Sequence, residues 1–292
     1  MINGEKIGVG IITCSREDSF SKLFSSLKKC DIIDKLYITE DSKVDCGDVG
    51  INTRSYIKKY LLEWSGDIDA TVNNINYGVG KCKNICLEKL LSDGCDHIFL
   101  IEDDMYIKDD RVFEKYIEAS KVSGIQHFNY GPGSPFNRKQ DIQFDLHNRH
   151  LLDQKSEPNP RLTIDYGDIK IDLYEHTVAM FSYYSRKSLE TVGLIDENYL
   201  NAWEHVDHTY EIIKAGMHPP FWYFADLHNS LDLVEEQENA ITQSVIAEDT
   251  EQWTKNVMGG REIYKNKHGH YPNQPPFVSE EEALKIIKQL KP

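Results

Sequence analysis

"HIFLIEDDMYI" occupies His97–Ile107, and its reading decides the fold. Four apolar residues, Ile98 to Ile101, run into three carboxylates, Glu102, Asp103 and Asp104, before the chain turns apolar again. Such a run reads as a buried strand. Adjacent carboxylates repel one another, so leaving three at a strand end costs free energy unless a cation neutralises them. Oxygen donors at that corner suit Mg2+ or Mn2+, ions that also hold a diphosphate. Alternation along a strand would send Glu102 and Asp104 one way and Asp103 the other. The plainer alternative is a solvated turn or helix cap before "DDRVFEKYIEASK".

Upstream of this stretch, strand and helix patterns alternate. "KIGVGIITCS" (Lys6–Ser15) is a β-rich apolar run, and "SREDSFSKLFSSLKKC" follows it with Phe20, Leu23, Phe24 and Leu27 at helical spacing. Ser15 or Asp18 would cap that helix. "DKLYITEDSK" is a second strand ending in Glu40, Asp41 and Ser42, and "RSYIKKYLLEWS" a second amphipathic helix. "IDATVNNINYGVG" gives a short strand and a Gly-rich loop, and "KCKNICLEKLLSDG" a third helix stopped at Gly94. The order predicts a parallel sheet covered by helices, with a ligand crevice beyond the C-terminal strand ends. Thr13–Arg16, Glu40–Ser42 and Glu102–Asp104 would all meet there.

Downstream, Tyr130–Asp172 is crowded with Pro and Gly and reads as loop-rich. "HTVAMFSYYSRKSLETVGLID" restores a strand and a helix, "NAWEHVDHTYEIIKAG" is a helix, and "HPPFWYFADLHNS" a last strand ending near His228. After Glu235 the chain is polar, with one helix in "WTKNVMGGREIYKNKHGHYP" and a final one in "SEEEALKIIKQL", where Ser279 and Glu282 form a capping box. Domain bounds of 1–235 and 236–292 follow. The first divides at about residue 108 into two halves, about 1–108 and about 109–235. The second is a helical extension.

The 292 residues suffice for one large α/β domain with a substantial core. Against 33 Lys and Arg stand 48 Asp and Glu, a formal net charge of −15, which disfavours broad binding to nucleic acid or anionic membrane. Arg138, Lys139 and Arg149 would supply a local basic groove. Cys14, Cys30, Cys46, Cys82, Cys86 and Cys95 form no C-x-x-C pair and read as reduced, mostly buried thiols of a cytoplasmic protein. No signal peptide is expected from the N-terminal stretch, and no window approaches the ~20 apolar residues of a membrane span.

These motifs, in this order, resemble those of GT-A fold glycosyltransferases, especially the family 2-like members. The matching elements are "IITCSR", "ITEDS", "NYGVGKCKN", the Asp-x-Asp-type element "EDD" and the acidic helix start "WEHVDHTYEI", spread over roughly residues 6–230. The resemblance implies a mostly parallel GT-A sheet flanked by helices, and a transferase that uses a nucleotide-sugar carried by UDP, with Mn2+ or Mg2+, the nucleotide-sugar bound by the half about 1–108 and the acceptor by the half about 109–235. It places Thr13 and Arg16 at the nucleotide, Asp41 on the uracil or ribose, Lys83 and Asn84 at the nucleotide or diphosphate, and Asp103 at the ribose or sugar. Asp104 would hold the metal, supported by Glu102, with His228 closing its shell. Plainer roles stand beside each: a satisfied strand end for Thr13, surface charges for Arg16 and Lys83, a loop brace for Asn84, an ordinary exposed ring for His228.

Sugar transfer also needs a carboxylate to take the proton of the attacking hydroxyl. Glu204 is the first candidate and Asp207 the second, with His205 the third, because His205 stands where many family members carry an acid. Trp203 beside Glu204 suits sugar stacking and would desolvate the carboxylate. Direct displacement would invert the anomeric centre, an outcome the resemblance implies. The acceptor stays open among glycan, lipid-linked, protein and modified-nucleobase hydroxyls, as does the oligomeric state. Rival readings are a nucleotidyltransferase, which would favour a Gly-rich signature that "ITCSRED" lacks, a non-catalytic nucleotide- or sugar-binding domain, and a divalent-metal phosphate-ester hydrolase.

Overall fold

The computed structural model describes residues 1–2, 4–41, 55–141, 153, 155–237 and 250–292. Ser42, Cys46 and Arg149 lie outside the described residues. Along the chain β1 (Ile7–Cys14), α1 (Glu17–Leu27), β2 (Lys35–Asp41), α2 (Ser55–Glu63), β3 (Asp67–Val72), α3 (Val79–Ser92) and β4 (His97–Glu102) alternate. β5 (Met105–Ile107), α4 (Val112–Ser123) and β6 (His127–Asn129) follow, then two 3-10 turns at Gly131–Gly133 and Pro135–Asn137. Next come β7 (Leu162–Asp165), β8 (Lys170–Tyr174), β9 (Phe181–Ser185), α5 (Arg186–Val192), α6 (Glu204–Lys214), β10 (Phe224–Leu227), α7 (Ser230–Leu233) and β11 (Val234–Glu236). α8 (Thr250–His268) and α9 (Glu280–Leu290) are the last helices among the described residues.

The central sheet runs β3-β2-β1-β4-β9-β6. β1, β2, β3 and β4 are mutually parallel, whereas β9 and β6 join antiparallel. Parallel strands covered on both faces read as unbroken apolar runs, which explains why β1 and β4 carry so little alternation. On one face α1 buries Phe20, Leu23, Phe24 and Leu27; on the other α3 buries Cys82, Cys86, Leu87 and Leu90. Gly10 lets α3 come close, since a Cβ there would lie 2.7 Å from Cys86 Cβ. The register aligns Thr13 with Glu40, Cys14 with Asp41 and Ile12 with Glu102, so the polar strand ends share one edge.

The described cysteines, Cys14, Cys30, Cys82, Cys86 and Cys95, are free thiols. Burial pushes Cys30 and Cys86 up to about 12, which leaves them unreactive. Ser279 caps α9 by accepting the Glu282 N–H, as its spacing predicts. α1 differs: Arg16 is its N-cap residue, with no side-chain cap bond.

The loop-rich reading of the middle misses a hairpin. β7 pairs antiparallel with β8, and β10 joins the other side of β8 to form a second sheet, β10-β8-β7. Its four-residue alternation, Leu162 and Ile164 facing inward, is too short to stand out from the Pro and Gly before it. β11 pairs with β5 and brings the chain back onto the end of β4. The expected boundary at 235/236 falls within β11. Among the described residues no helix is long and apolar enough to cross a membrane.

Candidate active site

β4 ends at Glu102, and Asp103–Asp104 form the tight turn into β5. The three acids separate by partner. Asp103 is fully buried; Thr13 donates to its Oδ2 at 2.6 Å, and Arg16 grips both of its oxygens, through Nε at 3.1 Å and through a second, shorter bond. Burial raises the Asp103 carboxyl, against the pull of Arg16 and Thr13. Arg16 also reaches Asp104 Oδ2 at 3.4 Å. Asp104 Oδ1 is buried with no hydrogen-bond partner among the described residues. Burial, then the charge of Glu102, pushes the Asp104 carboxyl up to about 7.

Glu102 turns instead to Lys83. The buried ammonium lies 3.0 Å from Glu102 Oε1 and 3.1 Å from Glu204 Oε1, tying the end of β4 to the start of α6. Burial alone would lower Lys83, but Glu102 and Glu204 outweigh it and the net shift is upward. Burial would raise Glu204, but Lys83 and His205 hold it well below the usual carboxylate range. Its Oε2 is buried without a partner among the described residues. Among the described residues, two of the three non-glycine residues at positive φ sit directly before these groups: Ser15 (55°) before Arg16 and Trp203 (75°) before Glu204. Strain of this kind costs about 1–3 kcal/mol and persists where surrounding structure holds it.

The structure thus brings Thr13, Arg16, Lys83, Glu102, Asp103, Asp104 and Glu204 into one network. Other expected residues have different partners. Asp41 accepts from the backbone N–H groups of Tyr77 and Gly78 and from Asn73 Nδ2, and so pins the Gly-rich loop. Asn84 braces Ile195, donating to its carbonyl at 2.8 Å and accepting its N–H at 2.9 Å. Asp207 faces α8, where His268 Nε2 and Lys267 Nζ each lie 2.7 Å away. His205 Nδ1 is 3.2 Å from Glu204 Oε1. His228, about half exposed, holds Asp172 of the second sheet at 3.0 Å. Arg138 turns to the carbonyls of Pro132 and Ser156, and Lys139 pairs with Glu157.

Two contributors were not anticipated. Glu236 at the end of β11 acts electrostatically on Glu102 and Asp104, and burial raises its own carboxyl. Gln237 clamps the acid turn: its N–H donates to Asp104 O at 2.7 Å and its Nε2 to the carbonyls of Asp103 and Met105 at 3.0 and 2.9 Å. The only sequence signal is "VEEQ" after an apolar strand, which reads as the start of a polar tail.

Asp104 Oδ1 offers one oxygen donor suited to a hard divalent ion, but among the described residues only Asp207, Glu211 and His268 bring three possible ligand atoms close enough to share one. Asp104 Oδ1 is buried without a partner among the described residues, and burial, then the charge of Glu102, raises the carboxyl against the pull of Arg16, with Asp103 and Glu236 adding to the rise. Asp103, with both oxygens engaged by Thr13 and Arg16, is committed to holding Arg16.

No family model matches the chain. The chain is 24% identical over 275 residues, 92% of its length and 97% of the relative's, to "Uncharacterized glycosyltransferase R363" of Acanthamoeba polyphaga mimivirus. Among solved structures it is similar to S. aureus TarS at a TM-score of 0.53 and 11% identity. That match covers 98% of this chain and 42% of TarS, so the chain spans under half of that protein. This likeness bears out the GT-A fold. It is also similar to the mannosyltransferase PcManGT from Pyrobaculum calidifontis, solved with GDP-Man and Mn2+, at TM-score 0.42 and 8% identity over 66% of this chain and 48% of that one. A 4-diphosphocytidyl-2C-methyl-D-erythritol synthase from Anaerococcus prevotii scores 0.41 at 11% identity, covering 65% and 74%. Likeness at those two scores does not choose between their chemistries. The glycosyltransferase resemblance read from the sequence is borne out by the full-length relative and the TarS fold.

Proposed function

We propose that this chain, a glycosyltransferase by fold and by resemblance, moves a sugar from a nucleotide-sugar to an acceptor hydroxyl with the help of a divalent cation. One observation carries the reading: two buried carboxylate oxygens, Asp104 Oδ1 and Glu204 Oε2, have no partner among the described residues, and Lys83 ties Glu204 to Glu102, whose charge acts on Asp104. The first suits a cation and the second a proton, the two needs of sugar transfer.

Asp104 would hold Mn2+ or Mg2+, with Glu102 and Glu236 adding negative charge beside it. The ion would neutralise the departing diphosphate as a Lewis acid. Thr13 and Asp103 orient Arg16 toward the same crevice, where its guanidinium would meet the nucleotide. Glu204 would accept the hydroxyl proton. Its lowered pKa keeps it ionised at neutral pH, but a base held so low accepts protons poorly. Lys83 resolves this tension, because an anionic diphosphate entering the crevice would compete for the ammonium and restore basicity to Glu204. Displacement by the activated hydroxyl would invert the anomeric centre. UDP is the carrier we propose first.

Calorimetry of UDP with and without Mn2+, on the wild type and Asp104→Ala, tests this. Metal-dependent binding that the variant loses would support the reading, and a donor screen would follow. If neither UDP nor any other nucleotide binds with metal present, the reading falls. Release of pyrophosphate rather than nucleoside diphosphate on turnover would replace it with nucleotidyl transfer.

A further inference from the structure

Helix α8 lies against the segment that delivers Glu204. We propose that Asp207 is a positioning residue that latches α8 onto α6 and thereby fixes Trp203 and Glu204, and that it takes no substrate proton itself. This rests on the assignment of Glu204 as the base.

Asp207 has both oxygens engaged. Oδ1 accepts from the Tyr199 hydroxyl at 3.1 Å and faces His268 Nε2 at 2.7 Å, and Oδ2 accepts from Lys267 Nζ at 2.7 Å. The residue is 1% exposed. Asp207, Glu211 and His268 lie close enough to share a metal ion. Lys267 already places its ammonium 2.7 Å from Asp207 and 3.5 Å from Glu211, so the cluster has its cation.

The latch connects to the base through Trp203. The Asp207 N–H donates to Trp203 O at 2.8 Å, and the Trp203 indole N–H donates to Val257 O on α8 at 3.0 Å. Gly260, one turn along α8, faces the same ring: a Cβ there would lie 2.9 Å from Trp203 Cδ1 and 3.2 Å from Ala202 O. A glycine inside a helix costs about 1 kcal/mol against alanine, and here it admits the indole. On the other flank, the Leu200 carbonyl accepts the Val79 N–H at the start of α3 at 3.2 Å. Residues 199–203 are therefore held between α3 and α8. The left-handed Trp203 needs such restraint, and it sets the direction in which Glu204 enters α6.

The test uses Gly260→Ala and Asp207→Asn in the full chain, with two readouts. Amide exchange at residues 207–210, starting with the Asp207 N–H on Trp203 O, should speed about tenfold or more in both, with β1 and α1 unchanged. Turnover should fall about tenfold or more, with Mn2+–nucleotide affinity within about twofold of wild type. Gly260→Ala raises helix propensity, so its loss cannot be ascribed to a melted α8. His268→Gln keeps a donor toward Asp207 and should retain most activity, whereas His268→Leu should not. Unchanged exchange in both variants overturns the latch. Faster exchange with unaltered turnover overturns its link to Glu204. An Asp207→Asn enzyme that loses the acid limb of its pH–rate profile, beside a Glu204→Gln enzyme that keeps it, makes Asp207 the base and overturns the proposal. A wild type that binds no nucleotide sinks the functional reading alone, and amide exchange then decides the latch by itself.

Discussion

Two clusters of acids sit at the ends of secondary elements in this chain, and their chemistry is opposite. At the end of β4, Glu102, Asp103, Asp104 and Glu236 share two cations, Arg16 and Lys83, and Asp104 keeps a buried oxygen with no partner among the described residues. At the seam of α6 and α8, Asp207 has Lys267, His268 and Tyr199 on its two oxygens. Both clusters are dense in charge. Only the first holds, among the described residues, a buried carboxylate oxygen without a partner on an acid whose like charges outnumber the cations beside it, and such an oxygen is what a ligand can complete. Proximity on one helix does not make Glu204 and Asp207 equivalent: the first faces Lys83 and the crevice, the second faces α8.

The sharpest test of the contrast is Glu204→Gln. We expect kcat to fall about 1,000-fold, about 4 kcal/mol, with metal-dependent nucleotide affinity unchanged in calorimetry. A parallel loss of affinity would assign Glu204 to binding instead. Asp207→Ala should act on stability, costing about 2–3 kcal/mol in urea denaturation because Lys267 and His268 lose their partner. Asp104→Asn should do the reverse in metal-free protein, raising stability by about 1–2 kcal/mol through relief of like-charge crowding. If both substitutions destabilise alike, the distinction between the clusters fails.

Dependence on pH sharpens the same point. The Asp104 pKa, raised by burial and Glu102 to about 7, means the folded protein binds a proton that the unfolded chain releases near 4. The contribution of Asp104 to the stability of the metal-free protein is therefore fullest below pH 4 and is lost as pH rises through about 7, whereas Glu204, held low by Lys83 and His205, contributes with the opposite sign. Saturating Mn2+ should remove much of that loss at Asp104, and metal binding near pH 7 should release protons, read as a buffer-dependent enthalpy. Asp226, raised by burial to about 7, contributes with the same sign as Asp104, so Asp104→Asn should flatten the melting profile only in part. The smallest effect is expected at His228, whose exposed ring pairs with Asp172. His228→Ala should cost under about 1 kcal/mol and leave cation affinity unchanged. A tenfold loss of affinity would return His228 to the metal shell that its position after β10 suggests.

Much of this was legible in the residues. The alternation from β1 to β4 follows from apolar runs whose period and length are local properties, and three such strands ending in polar residues place a crevice at their shared edge. Thr13, Arg16 and the three acids of the β4 turn come from that reasoning, and Lys83 from the resemblance of "NYGVGKCKN" to the glycosyltransferase pattern. The β7–β8 hairpin escaped because four residues of alternation carry little signal beside Pro and Gly. Glu236 and Gln237 escaped because a three-residue strand, β11, returns to β5 across a long stretch of chain and shows no period of its own. The partner of Asp41 escaped too, since nothing in "ITEDS" indicates that loop amides will take its oxygens.

The sequence by itself determined the layered α/β architecture and the clustering of charge at one sheet edge, because side-chain periodicity and strand-end polarity are written in neighbouring residues. Only the tertiary structure decided which charges are answered. Thr13 and Asp103 are 90 residues apart, Lys83 and Glu204 are 121 apart, and Asp207 and His268 are 61 apart. No local spacing encodes those encounters; they exist once the sheet, α6 and α8 have packed, and they separate Glu204, with one buried oxygen unpartnered among the described residues, from Asp207, with both oxygens bound.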